Sequence, residues 1–142
     1  MAATNQIWEL KPNIGVGPLL FGMALSDIEE ILGHNFVMFR HDEKAHTKTY
    51  AFRGSGVHAT FDLDSELVEL GIHVPNQVLL NNIELLGTNT DEVASDLIKT
   101  GIDLTRIDVG FWSERLRLLL IQIDEVTDGV ELGRIMQETK SA

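Results

Sequence analysis

Apolar and polar residues alternate most cleanly over two stretches of the first half. Val57, Ala59, Phe61 and Leu63 alternate with His58, Thr60, Asp62 and Asp64, and Val68, Leu70, Ile72 and Val74 alternate with Glu69, Gly71 and His73. A period of two belongs to a strand with one buried face, so both stretches read as strands of an antiparallel sheet. Thr47 to Phe52 is β-prone, Gly54-Ser55-Gly56 and Ser65-Glu66 read as turns, and Pro75-Asn76 ends the run. In the second half Arg106 to Trp112, Arg115 to Asp124 and Val130 to Met136 read as strands. Ser113-Glu114 separates the first two, and Thr127-Asp128-Gly129 supplies Asp-Gly hairpin chemistry before the third. Leu118 to Ile121 is apolar on both faces, which predicts a central strand covered twice, the second time by an oligomer contact.

Two short helices precede these strand groups. Ser26-x-x-Glu29 is a capping-box pattern opening a helix from Asp27 to Leu32 that stops at Gly33, with Ile28, Ile31 and Leu32 on its buried face. Asn89-x-x-Glu92 opens the second, which carries Val93, Leu97 and Ile98 and stops at Gly101. The halves also share words. Val68-Glu69-Leu70-Gly71 returns as Val130-Glu131-Leu132-Gly133, and Leu20-Phe21-Gly22 as Leu85-Leu86-Gly87. The expectation is an α+β fold: two tandem helix-plus-three-strand units, about 14–75 and 82–136, forming one antiparallel sheet surface with helices on one face. The whole chain, 1–142, reads as a single domain.

The remaining segments are an extended lead-in, Ile7 to Leu10, a Pro/Gly-punctuated stretch, Pro12 to Pro18, and a polar tail, Gln137 to Ala142. Gly15-x-Gly17 lacks the third glycine and the Gly-Lys-Ser/Thr of phosphate loops, so the stretch reads as an edge strand or an irregular loop rather than a phosphate site.

Charge changes the picture more than composition does. Eleven Lys and Arg stand against 22 Asp and Glu, a formal charge of −11. Such a chain repels phosphate backbones and anionic leaflets, which argues against nucleic acid and membrane, and it attracts a basic protein surface. There is no cysteine, and the N-terminus has neither the basic nor the apolar region of a signal peptide, so a cytoplasmic protein is expected.

Gly15 to Met23, the capped helix Ser26 to Gly33, Tyr50 and the strand Val57 to Asp64 together resemble the small outer-membrane assembly lipoproteins of the SmpA/BamE type. Two such units in tandem resemble the β-lactamase inhibitor proteins, whose paired units form a concave sheet that grips a protein. The resemblance implies that fold and a protein-binding habit. In a small acidic cytoplasmic chain it extends, by analogy, to bacterial immunity proteins, which neutralise a toxin domain by covering it.

No catalytic motif competes with that reading. None of the serines lies in Gly-x-Ser-x-Gly, and the paired carboxylates have no predicted pocket, so no enzyme is expected. His41 and His46 are five apart, off the helical metal spacing. Asp62-x-Asp64-x-Glu66 has Leu67 where a calcium loop needs glycine, so no metal or other cofactor is expected. The interaction-type residues are His58, Asp62, Glu69 and His73 on one predicted face of the first half, with Glu131 as the equivalent of Glu69. Trp112 with Arg115 and Arg117 forms an aromatic–arginine cluster, the residue types that dominate protein-interface energetics; Trp8 is a lesser candidate of the same kind. The expected function is a protein-binding inhibitor masking a toxin domain. The alternative is a homo-oligomeric structural or small-ligand-binding module without catalytic activity.

Overall fold

The computed structural model describes residues 7–135, so Met136 and the tail lie outside the described residues. The chain runs β1 (Ile7–Lys11), β2 (Gly15–Val16), β3 (Leu19–Leu20), α1 (Leu25–Leu32), β4 (Phe36–Asp42), β5 (Thr47–Phe52), β6 (Val57–Phe61) and β7 (Leu67–His73). It continues through β8 (Gln77–Leu80), β9 (Ile83–Glu84), α2 (Thr90–Lys99), β10 (Thr105–Ile107), β11 (Gly110–Ser113), β12 (Leu118–Ile123) and β13 (Val126–Gly133). Two sheets result. One has eight strands in the order β10-β11-β12-β13-β7-β6-β5-β4; the other has five, in the order β3-β2-β1-β8-β9. The larger is antiparallel throughout, while β1 and β8 join the smaller one in parallel.

The two Val-Glu-Leu-Gly segments pair with each other at the middle of the large sheet. Leu70 stands opposite Leu132, Glu69 opposite Gly133 and Gly71 opposite Glu131. On either side of that pair the strands follow in mirrored order. The segment before each helix is also tied to the last strand of its own half by reciprocal backbone bonds. Gly22 donates to Leu67, which donates back to Met23; Gly87 donates to Thr127, which donates back to Thr88.

One core serves all the elements. Leu70, Ile72, Leu118, Leu120, Val130 and Leu132 supply it from the large sheet, and Leu10 and Val78 from the small one. Ile28 of α1 and Val93 and Leu97 of α2 close it. Trp8 is buried there too, with Gly17 (φ +56°) against its indole, where an added Cβ would lie 2.5 Å from the ring. It is a core residue rather than an interaction residue.

The expected fold class does not hold. The chain is mainly strand, each helix is followed by four strands of the large sheet rather than three, and the extended lead-in, with the Pro/Gly-punctuated stretch after it, joins a second sheet of its own. The strand missed in the first half is β4, whose seven residues are nearly all exposed and so carry no alternation. In the second half, the stretch from Arg106 to Trp112 is a hairpin, β10–β11, rather than one strand.

Several boundaries move as well. Helix α1 starts earlier, at Leu25, with the Asp27 carboxylate accepting from the Ala24 N–H at 3.0 Å, so Ser26 is not its cap. Ile31 and Ile98 face solvent, each replaced in the core by other residues of its helix. Asn89 does cap α2, accepting from the Glu92 N–H at 3.0 Å. The last hairpin turns at Asp124-Glu125, leaving Gly129 inside a strand. Strand β6 ends at Phe61, and Leu63 sits in the following turn at 75% exposure.

The Leu132→Ala variant, which empties a fully buried site opposite Leu70, is expected to lose about 2–5 kcal/mol of stability. Leu63→Ala, despite the alternation that includes it, stays within about 0.5 kcal/mol of the parent. Urea unfolding of the two variants measures the contrast; equal losses would contradict this placement of the core.

Candidate functional site

The outward rows of the large sheet follow from its register. One row crosses the sheet as Val37, Ala51, His58, Gly71, Glu131, Leu119 and Trp112, and the next contains Arg40, Thr49, Thr60, Glu69 and Gly133. Six of the residues expected to contact a partner meet on this one face: His58, Glu69, His73, Glu131, Trp112 and Arg117. Asp62 and Arg115 do not join them. The Asp62 carboxylate folds the turn after β6, accepting from the N–H groups of Asp64 at 2.9 Å and Glu66 at 3.0 Å, and Arg134 stands 3.6 Å away. Arg115 donates to the Gly101 carbonyl at 3.3 Å.

At the sheet's centre lies a shallow depression of about 230 Å³. Glycines open it. An added Cβ at Gly129 would stand 2.3 Å from His73 Nδ1, so the histidine ring lies directly over that residue. Gly71 is bordered by the His58 Cβ, the Glu131 Cγ and His73 Nε2. The two imidazoles approach to 5.2 Å between centroids, and beneath Arg40 the Thr49 and Thr60 hydroxyls share a buried hydrogen bond of 2.7 Å.

Two bulges set side chains against the two histidines of this depression. In the β4–β5 ladder the register passes over Phe39, whose ring stacks on His58 at 4.7 Å with Arg40 5.9 Å from its centroid. In the β12–β13 ladder it passes over Asp128, whose carboxylate comes within 3.7 Å of His73 Nδ1. On the far side, the Arg117 guanidinium lies 5.4 Å from the Trp112 ring centroid. Glu114 fixes that pair, accepting from the Trp112 indole N–H at 3.0 Å and from Arg117 at 3.2 Å. Phe111 points the other way, toward the core, with Arg106 over its ring.

Phe39 and Arg40 escaped the sequence reading because β4 did. The only signal for them was the run Phe36-Val37-Met38-Phe39, too apolar for a loop.

Burial and like charge act on two groups here. Burial first, then the neighbouring His73 and Arg40, hold the His58 imidazole below its ordinary value of 6.5. Burial, then Glu131, pushes the Glu69 carboxyl above its ordinary 4.5, while Arg40 and Arg117 oppose the rise. Among the described residues no group of three or more His, Cys, Asp or Glu is placed to hold a metal ion. No helix there is long and apolar enough to cross a membrane. No protein-family model matches the chain, and neither a curated protein nor a solved structure matches it.

The two shifts act on stability with opposite signs. The folded chain releases the His58 proton more readily than the unfolded chain, so this contribution is complete above pH 6.5 and is lost as pH falls through the lowered value. Glu69 keeps its proton in the folded chain after the unfolded chain has released it; its contribution is complete below pH 4.5 and is lost as pH rises through the raised value. Urea midpoints across this window are expected to lose the acid-side decline below pH 6.5 in His58→Asn, and the decline above pH 4.5 in Glu69→Gln. In Gly129→Ala the new methyl displaces the His73 ring, and His58 then titrates closer to 6.5 in an NMR experiment.

Proposed function

We propose that the outer face of the eight-stranded sheet is a docking surface for a basic protein domain, and that the protein acts by covering that domain. The observation that carries this reading is the pairing of aromatic and arginine side chains on both flanks of the central depression, Phe39/Arg40 on one side and Trp112/Arg117 on the other. Flat aromatic rings bury large areas at little entropy cost and guanidinium groups offer several donors in a fixed fork, which makes both the usual anchors of protein interfaces. Trp112 is already held by Glu114, so part of its ordering cost is met before a partner arrives.

The charge of −11 selects the sign of the partner and speeds its approach. A bacterial toxin domain is the partner class that fits an acidic cytoplasmic masking protein, which makes an immunity protein the specific form of the reading. The neighbouring Glu69 and Glu131 carboxylates support it, since a partner's cation placed beside them offsets the burial and, after it, the repulsion that raise Glu69.

Titration calorimetry against a candidate toxin domain, chosen from the genes neighbouring this chain's own, tests the proposal. One-to-one binding is expected, weakened by more than about 30-fold in Trp112→Ala, the loss typical of a tryptophan anchor. Reversing Glu131 to Lys lowers the association rate and its salt dependence. No binding to that domain, or binding indifferent to both substitutions, would overturn the reading.

A further inference from the structure

A second concavity lies on the opposite side of the same sheet, away from the face described above. The inward row that carries Met38, Tyr50, Ala59 and Leu70 is followed one step along the strands by His41, Lys48, Phe61 and Leu67. Phe61 and Leu67 are core residues, but His41 and Lys48 are polar at inward positions, and both remain exposed. Helix α1 begins only at Leu25, which forms one wall, so the end of this row is left as a cavity of about 210 Å³ rather than packed. The β4–β5 turn brings His46 to its rim, and the Asp62–Ser65 turn brings Leu63.

The lining divides into two chemistries. Tyr50 and Phe61, edge to face at 5.9 Å, form an aromatic floor with Leu25 beside it. Leu63, at 75% exposure, presents an apolar side chain that nothing in the described chain covers. Above them stand Lys48, His41 and His46, a concentration of basic groups in a chain of charge −11. The single carboxylate at the cavity, Asp62, is committed elsewhere: it accepts from two backbone N–H groups and lies 3.6 Å from Arg134. Among the described residues Lys48 has no ion-pair partner.

From this arrangement we infer that the cavity is a binding site for a small aromatic monocarboxylate, its ring on Tyr50 and Phe61 under Leu63 and its carboxylate at Lys48. The size limits the occupant. At about 210 Å³ it is smaller than the ~300–1,000 Å³ of sites that take drug-sized ligands, so one ring and a short acid arm fit and a nucleotide does not. The site is independent of the docking face, because its residues point to the other side of the sheet.

Phenylacetate is the probe, with acetate supplying the charge without the ring and benzyl alcohol the ring without the charge. Saturable amide-shift changes at Lys48, Tyr50 and Phe61 are expected with phenylacetate, and binding at least about tenfold weaker with either control. Lys48→Met, at an exposed position that leaves the fold intact, is expected to weaken phenylacetate about fivefold, the upper range for an exposed charge pair. Phenethylamine, with the opposite charge, is not expected to saturate. Absence of saturable shifts at these residues, equal affinity for phenethylamine, or unchanged binding in Lys48→Met would each overturn the inference.

Discussion

Everything in this molecule hangs on the ladder between β7 and β13. It is the contact through which the four strands after α1 and the four strands after α2 become one sheet. Its register is fixed by burial: Leu70 and Ile72 face Leu132 and Val130, all four fully removed from water. A slip of β13 by one residue would turn Val130 and Leu132 outward and bring Glu131 into the core, a cost of two buried side chains and a carboxylate at once. The duplicated Val-Glu-Leu-Gly is thus more than a trace of similarity between halves. It is a self-complementary segment in which leucine meets leucine and each glutamate meets a glycine.

That register also dictates the outer face. Because Glu69 faces Gly133 and Glu131 faces Gly71, neither glutamate has a side chain opposite it across the β7–β13 ladder, and the sheet's centre stays low. His73 then has room to lie over Gly129 and reach His58. The bulge at Phe39 raises one rim of this floor, and the bulge at Asp128 sets a carboxylate beside His73. The depression and its perturbed titrations are consequences of the same pairing that holds the core together. Substitutions that loosen the central ladder will therefore alter the face and the fold together, whereas Trp112 and Arg117 lie far enough along the sheet to be changed alone.

The sequence made half of this legible. Alternation located β6 and most of β7, and it put His58, Glu69 and His73 on one face, where they are found. The equivalence of Glu69 and Glu131 was readable from the repeated tetrapeptide. What failed was local: β4 has no buried side to alternate with, and β2 and β3 are two residues each, below the length at which periodicity exists. Bulges defeated the parity count. At the β6–β7 pairing the register passes over Val68, so Leu67 rather than Val68 is the fully buried residue. Asp128-Gly129 looked like a turn because Asp-Gly usually is one, yet here the glycine answers to His73 across the strand.

The edges of the large sheet bear on how such a molecule associates. An exposed edge strand is a template for another strand, and β4 presents Val37, Met38 and Phe39 along its length. Its regular pairing edge is broken, however, by the bulge at Phe39, and Arg40, His41 and Asp42 follow with charge or polarity. The opposite edge, β10, is only three residues long and fully exposed, with Arg106 drawn toward Asp91 of α2 by a 2.6 Å ion pair. Both ends are therefore poorly suited to extending the sheet with a second copy, as natural sheets that avoid edge-to-edge pairing are. The same features leave the broad outer face as the larger surface open to the proposed docking. A partner docking on that face, as proposed above, would meet a mixed pattern, arginines at the flanks and carboxylates at the centre, and its own surface would have to match both signs in that order.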